Sequence, residues 1–201
     1  MKITTRQKLI QTGAKAMLAK SYHAVGIQEI LTEVEVPKGS FYHYFESKEA
    51  FGVAIIEYYG EQLANIIRNK LLDTQHSPKE RIRAYYLGVR SYYAKNGCER
   101  GCLVAKLATE VADHSVQMRD ALKREFDKWT GLFADCIREG QAIGEISSRQ
   151  DADFLAEFLY TTWEGTLIRM QVNHELSPID KFIDGALDLI IPPAEKSNER
   201  K

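Results

Sequence analysis

Apolar residues in this chain return every three or four positions in one stretch after another, and each stretch is closed by glycine, proline or a polar turn. That is the helical period, because side chains three and four apart share one helix face. Residues 4–20 carry Leu9, Ile10, Ala14, Met17 and Leu18 on one side, and Gly26 precedes a two-turn run with Ile27, Ile30, Leu31 and Val34 in line. Glu35-Val36-Pro37 breaks that run, and Pro37 suits the first turn of the next helix, where its missing N–H costs nothing. Ser47 is placed to cap a long helix reaching about Leu72, and Ser77-Pro78 opens another that Asn96-Gly97 stops. Helices follow over 102–112 and 115–140, with Gly140 and Gly144 ending the pair, then over about 150–173 and 178–190. No strand pattern or repeat interrupts the series, so the expected fold is all-α with about nine helices.

With 201 residues the chain can hold two unequal domains without covalent staples. The net charge of −1 is unevenly spread: residues 1–48 hold seven Lys/Arg against four Glu, a balance of +3 that leaves −4 for the rest. The basic end is therefore the one suited to phosphates, and the even global balance argues against a protein that coats nucleic acid by bulk charge. No apolar run nears the roughly 20 residues of a membrane span, and the N-terminal residues lack the apolar core of a signal peptide. Three cysteines do not make a disulfide framework and fit a reducing compartment, so a soluble cytoplasmic protein is expected.

Pro37-Lys38-Gly39-Ser40-Phe41-Tyr42-His43-Tyr44-Phe45 places a short aromatic and basic helix directly after an amphipathic one. A helix that reads a major groove leads with its N-terminal end and presents donors there rather than bulk. Lys38 can reach a guanine edge or a phosphate, Gly39 lets a backbone approach closely, and Ser40 can donate to either. Tyr42 and His43 fall on the outward face, while Phe41 and Phe45, four apart, fall on the opposite one and belong to the core. Gln28 on the preceding helix and Lys48 at the start of the long helix complete the DNA-facing set, Lys48 beside amides that favour a phosphate. The competing reading is an aromatic helix that merely packs. One short helix reads only a few base pairs, so a homodimer on a pseudo-palindromic site in double-stranded DNA is expected.

These residues resemble the helix-turn-helix of TetR-family transcriptional regulators, strongly over residues 3 to about 63 with the motif at about 26–45. The resemblance implies a three-helix DNA-binding domain at 3–63 and a helical regulatory and dimerisation domain at 64–193, and the charged residues after Pro192-Pro193 add an expected flexible tail at 194–201. It also implies a phosphate contact for Tyr44, which spacing alone leaves open. Two positions depart from the family pattern: Gly26 stands where a hydroxyl residue usually caps the second helix, and Glu35 where the turn usually has glycine. Glu35 is strained if the turn keeps φ > 0 there. Gly101-Cys102-Leu103-Val104-Ala105-Lys106 resembles a subgroup that includes the repressors responding to acrylate and to N-ethylmaleimide-type electrophiles.

Signal input is expected in the middle helices. Tyr85, Tyr86, Tyr92, Tyr93, Trp129, Phe133 and Trp163 combine apolar walls with polar tips, which suits a small-molecule pocket as well as a plain core. Cys102 opens a helix with Arg100 and Lys106 nearby, a setting that favours the thiolate; volume-filling burial is the other reading. The resemblance implies a sensing role for it, and Cys98 could resolve an oxidised Cys102. Dimerisation is assigned to the last two helices through Phe154, Phe158, Thr162, Ile179, Phe182 and Ile183, against a monomer whose core they close. The five histidines fall at no metal-ligand spacing, no phosphate loop or nucleophile elbow is present, and no metal or cofactor is expected. The reading is a DNA-binding regulator, most simply a repressor released by a small molecule, an electrophile or an oxidant. An all-α enzyme using Cys102 as nucleophile is the alternative, with His114 a full helix away in sequence.

Overall fold

The computed structural model describes residues 3–194, and the regular elements among them are helices, apart from one isolated antiparallel bridge between Ile146 and Pro193. Helix α1 (Thr5–Ala19) starts where Thr4 and Gln7 form a reciprocal capping box, the Gln7 N–H donating to Thr4 Oγ1 at 3.2 Å and the Thr4 N–H to Gln7 Oε1 at 2.9 Å. Helix α2 (Ile27–Val34) starts at Gly26 with no side-chain cap and ends at Glu35, which adopts the left-handed conformation with φ 58° and ψ 42°. The strain foreseen for Glu35 is therefore present. The Val36 N–H closes the end by donating to the Leu31 carbonyl at 3.0 Å.

Pro37 stays extended rather than entering the next helix; Lys38–Ser40 form a 3-10 turn that runs straight into α3 (Phe41–Tyr44). Helix α4 (Lys48–Leu71) follows, its first turn held by the Ala50 N–H on Ser47 Oγ at 3.0 Å. Helix α5 (Pro78–Asn96) has a capping box between Ser77 and Glu80, and α6 (Leu103–Val111) has Cys102 at its N-cap position. Helix α7 (Val116–Ala142) runs through Gly140 instead of stopping there. A Cβ on Gly140 would lie 2.6 Å from the Ile146 side chain, so glycine serves packing at that point, and Gly144 with φ 72° makes the turn. Helix α8 (Ala152–Asn173) is capped by Asp151. The final helix expected over 178–190 consists of α9 (Ser177–Lys181), a π turn (Phe182–Ala186) and α10 (Leu187–Ile190). The tail proposed from Ala194 falls, beyond that residue, outside the described residues.

Packing groups the helices into two units: residues up to Leu63 with Arg100–Phe126, and Ala64–Glu99 with Asp127 onward. Helix α6 and the first part of α7 thus pack with the helix-turn-helix, where the sequence reading set everything after residue 63 apart. In the first unit Phe41, Phe45 and Phe51 form a triangle with ring centroids 4.7–5.4 Å apart, and Leu9, Met17, Ile30 and Leu31 are buried in the same unit. Gly13 makes this possible, because a Cβ there would sit 2.5 Å from Phe51 Cζ. In the second unit Tyr86, Trp129, Phe133, Trp163 and Phe182 form the core. The buried Arg81 donates to the Leu71 carbonyl at 2.6 Å and pairs with Glu139 at 2.5 Å, so its guanidinium closes the C-terminal end of α4. Among the described residues no helix is long and apolar enough to cross a membrane.

Candidate nucleic-acid interface and regulatory residues

The two sides of the Lys38–Tyr44 element have opposite fates. Phe41 is fully buried and Phe45 nearly so, while Tyr42 is 67% exposed and His43 and Tyr44 are exposed beside it. The Tyr42 ring meets the Phe41 ring edge-on at 5.5 Å, so a buried aromatic steadies the base of an exposed one. Ser40 is half-buried and Gly39 exposed, with no heavy atom within 4 Å of where a Cβ would stand. Nothing inside the protein requires glycine at that point. The Lys38 side chain lies outside the described residues. Gln28 is exposed on α2, its amide directed to Thr32 Oγ1 at 3.4 Å.

Lys48 meets an aromatic ring of its own chain. It is half-buried, with its ammonium 4.9 Å from the centroid of the Tyr22 ring, and burial lowers its pKa. A lysine stem gains more by covering an aromatic face than by extending into water, which turns Lys48 inward. Spacing gave no warning, since Tyr22 lies in the loop after α1.

The structure adds a set that periodicity did not mark. From α6, Lys106 Nζ donates to the Leu18 carbonyl at 3.0 Å and the Lys20 carbonyl at 2.8 Å, satisfying acceptors at the end of α1. One turn on, Glu110 accepts the Tyr22 N–H at 2.8 Å. Ser115 donates to Glu49 in the first turn of α4. Lys106 therefore clamps the end of α1. Basic and acidic residues four apart on an apolar helix were the only hint available.

Cys102 is buried, without a side-chain hydrogen bond to the α6 terminus, and Arg100 is exposed. Cys98 is half-buried, and burial followed by the Glu99 charge raises its pKa, which works against easy thiolate formation. Cys136 is buried with its thiol directed to the Pro78 carbonyl at 3.4 Å, and burial pushes its pKa up to about 12.

The aromatic residues assigned to an effector pocket gather only in part. Tyr86 lies 4.7 Å from Trp163, 4.8 Å from Phe182 and 5.8 Å from Phe133, and Tyr85 packs on Tyr86 at 5.0 Å. Trp129 packs instead on Tyr160 at 5.8 Å. Tyr92 is exposed, since Tyr93 takes the inward place in the last turn of α5. These rings touch one another. The Tyr86 hydroxyl is fully buried with no hydrogen-bond partner among the described residues, and burial raises its pKa well above the usual phenol value. A groove of about 360 Å³ lies between α8 and the π turn, with Thr162, Thr166, Arg169 and Lys181 on its walls, and it shares only Phe182 with the aromatic cluster.

The residues assigned to dimerisation divide as well. Phe154 and Phe158 are exposed, their rings parallel within 4° and 6.3 Å apart, and Thr162 is half-buried. Ile179, Phe182 and Ile183 are buried within the single chain and pack its own core, Phe182 against Tyr86 of α5 and Trp163 of α8. They are not available to a partner surface.

The tetR-family model of bacterial regulatory proteins matches residues 9–55, and the tetracyclin repressor-like C-terminal domain matches residues 78–186. The transcriptional repressor DhaR of a Mycobacterium species is 34% identical over 195 residues, covering 96% of both chains. The regulator AcuR of Cereibacter sphaeroides is 38% identical over 176 residues, covering 88% of this chain and 80% of its own. The reduced form of Escherichia coli NemR superposes with a TM-score of 0.86 at 29% identity, covering 96% of this chain and all of that one. An all-α chain with an outward helix-turn-helix is the architecture of a DNA-binding transcription regulator. The chain belongs to the TetR family.

Proposed function

We propose that the protein is a cytoplasmic homodimeric repressor that sets two copies of the Lys38–Tyr44 element into neighbouring major grooves and leaves its operator when an effector reaches the second unit or Cys102. The observation that carries this reading is the contrast within α3: Phe41 anchored in the core, Tyr42, His43 and Tyr44 projecting, and Gly39 bare at the leading end. Such an element can be driven against a groove without repacking, and its tyrosine hydroxyls and histidine suit phosphates and base edges.

Release is assigned to two inputs. The Tyr86 hydroxyl, buried and without a partner, would donate to an acceptor on a small, largely apolar guest once the surrounding rings part to admit it. Addition of an electrophile to the Cys102 sulfur would enlarge a buried N-cap of α6, and α6 holds the end of α1 through Lys106 and the Tyr22 loop through Glu110. A shift of α6 then reaches the helix-turn-helix within one packed unit.

Fluorescence anisotropy with the duplex upstream of the protein's own gene tests the reading. Salt-sensitive binding that Tyr42→Ala weakens at unchanged fold supports it, and equal affinity for any duplex by wild type and variant refutes sequence reading. A Cys102→Ser protein that still releases DNA on electrophile treatment would remove the covalent input and leave repression in place.

A further inference from the structure

Arg6, in the first turn of α1, has no carboxylate partner among the described residues. Lys20, just past the other end of the same helix, pairs with Glu29 at 2.6 Å, and Glu46 is exposed one residue beyond Phe45 without pairing to Arg6. The Arg6 guanidinium lies instead over the Phe45 ring, its central carbon 5.1 Å from the ring centroid. Phe45 is buried and Arg6 exposed, so the guanidinium covers that ring from the solvent side.

The fold gains little from the charge itself. A cation in the first turn of a helix is opposed by the positive end of the helix dipole, and the first turn of α1 holds no acid to offset it. An apolar stem would cover Phe45 as well. A planar guanidinium held against a ring, however, keeps N–H donors on its edge free for two oxygens of one anion, and its geometry is set before that anion arrives.

Its position says which anion. Phe45 directly follows Tyr44, the last residue of α3, whose side chain is exposed. A helix about 10–12 Å across fills a major groove about 12 Å wide, so a group at the flank of that helix faces the sugar-phosphate backbone and not the base edges. The guanidinium over Phe45 is such a group. We propose that Arg6 is a phosphate-contacting residue of the DNA interface, held by the Phe45 ring beside the end of α3, so that α1 and the reading element grip one duplex together. The proposal rests on the DNA reading by the Lys38–Tyr44 element and adds a contact from α1, at a residue that precedes the segment 9–55 matched by the family model.

Fluorescence anisotropy of the full chain tests it, on the duplex upstream of the protein's own gene and on an unrelated duplex, each titrated with salt, for wild type, Arg6→Gln, Lys15→Gln and Tyr42→Ala. Arg6→Gln keeps a stem over Phe45 while removing the charge, and its urea midpoint is expected to match wild type. It is expected to weaken binding to both duplexes by the same factor, and to make log K against log salt shallower by about 0.9 for each copy bound, the counterion release of one phosphate contact. A fourfold rise in salt then narrows its gap to wild type about threefold for each copy. Lys15 is exposed nine residues on, on the opposite side of α1, and Lys15→Gln is expected to leave the slope unchanged. A wild-type slope in Arg6→Gln, or an equal loss of slope in Lys15→Gln, would overturn the contact, as would a loss confined to the upstream duplex, which would make Arg6 a base reader. Failure of the DNA reading itself would look different: wild type and Tyr42→Ala would bind the two duplexes alike, whatever Arg6→Gln does.

Discussion

Tyrosine does opposite things in the two units. In the Lys38–Tyr44 element Tyr42 and Tyr44 stand in water on a short helix whose Phe41 and Phe45 are locked inside. In the second unit Tyr85 and Tyr86 are buried among Phe133, Trp163 and Phe182, and Tyr86 is sealed from water with its hydroxyl unanswered. The first arrangement is finished before its partner arrives, because the groups that would touch DNA carry no part of the fold. The second is unfinished, because the group that would touch a guest is held inside the fold at a cost.

The sharpest way to break this contrast is to exchange roles within α3. Phe41→Ala removes a fully buried ring from the triangle with Phe45 and Phe51 and is expected to cost about 3–5 kcal/mol of stability, read from urea denaturation. Its neighbour should behave in the opposite way. Tyr42→Ala is expected to leave the denaturation midpoint nearly unchanged and to lose about 1–3 kcal/mol of operator affinity, roughly 5- to 150-fold. If both variants lose stability alike, the two faces of α3 are not separate and the element is core.

Tyr86→Phe tests the other side. Deleting a buried hydroxyl without a partner removes an unmet desolvation cost while keeping the ring contacts, so the free protein is expected to gain about 1–2 kcal/mol. The same variant should bind DNA normally and respond less to a hydrogen-bonding effector. A loss of stability would mean that the hydroxyl is satisfied in solution, by ordered water or by movement of the rings, and that nothing is held open for a guest.

How much of this was legible depends on which way a residue faces. The helix-turn-helix was legible because Phe41 and Phe45, four apart, define an inside and thereby an outside, and because Ser47 and Pro37 bound the element. Periodicity also found α5 through its Ser77-Pro78 start. It could not tell a pocket wall from a core, since Tyr85, Trp129 and Trp163 show the same spacing in either role. It misplaced Ile179, Phe182 and Ile183, because an apolar run buried against its own chain shows the same spacing as one left for a partner. The contacts of Lys48 and Lys106 were out of reach for another reason: their partners, the Tyr22 ring and the carbonyls of Leu18 and Lys20, lie across the fold and in backbone atoms, which no side-chain spacing encodes.

Glu35 offers a smaller test on the DNA-reading side. Its left-handed conformation costs an ordinary residue about 1–2 kcal/mol, and glycine there escapes that cost while losing about 0.4–1 kcal/mol to the freedom of the unfolded chain. Glu35→Gly is therefore expected to stabilise the first unit by roughly 0.5–1 kcal/mol on the balance of those terms. Because Glu35 is exposed at the turn before the reading element, removing its negative charge should also raise affinity for DNA slightly. A loss of stability would show that Glu35 makes a contact that offsets its strain.

The smallest effect belongs to the surface of the second unit, where α5 holds α10 by charge. Asp188 pairs with Lys79 at 3.1 Å and with Arg83 at 3.3 Å, and the Lys79 hydrogen bond, ahead of the charges of Lys79 and Arg83, keeps its pKa below the ordinary aspartate value. A carboxyl whose folded pKa is depressed stabilises the fold above its unfolded pKa of about 3.9 and loses that contribution as pH falls through the folded value. Asp188 remains about half exposed, so solvent and salt screen the pair and its worth is about 0.5 kcal/mol at neutral pH. Asp188→Asn should therefore unfold slightly earlier than wild type at pH 7, and the two denaturation curves should converge only as the pH falls from the unfolded pKa through the lower folded one, where the wild-type carboxyl is protonated in both states. A difference that persists unchanged in acid would assign the effect to packing of α10, and would bring this edge of the second unit closer in kind to the interior around Tyr86 than to the exposed face of α3.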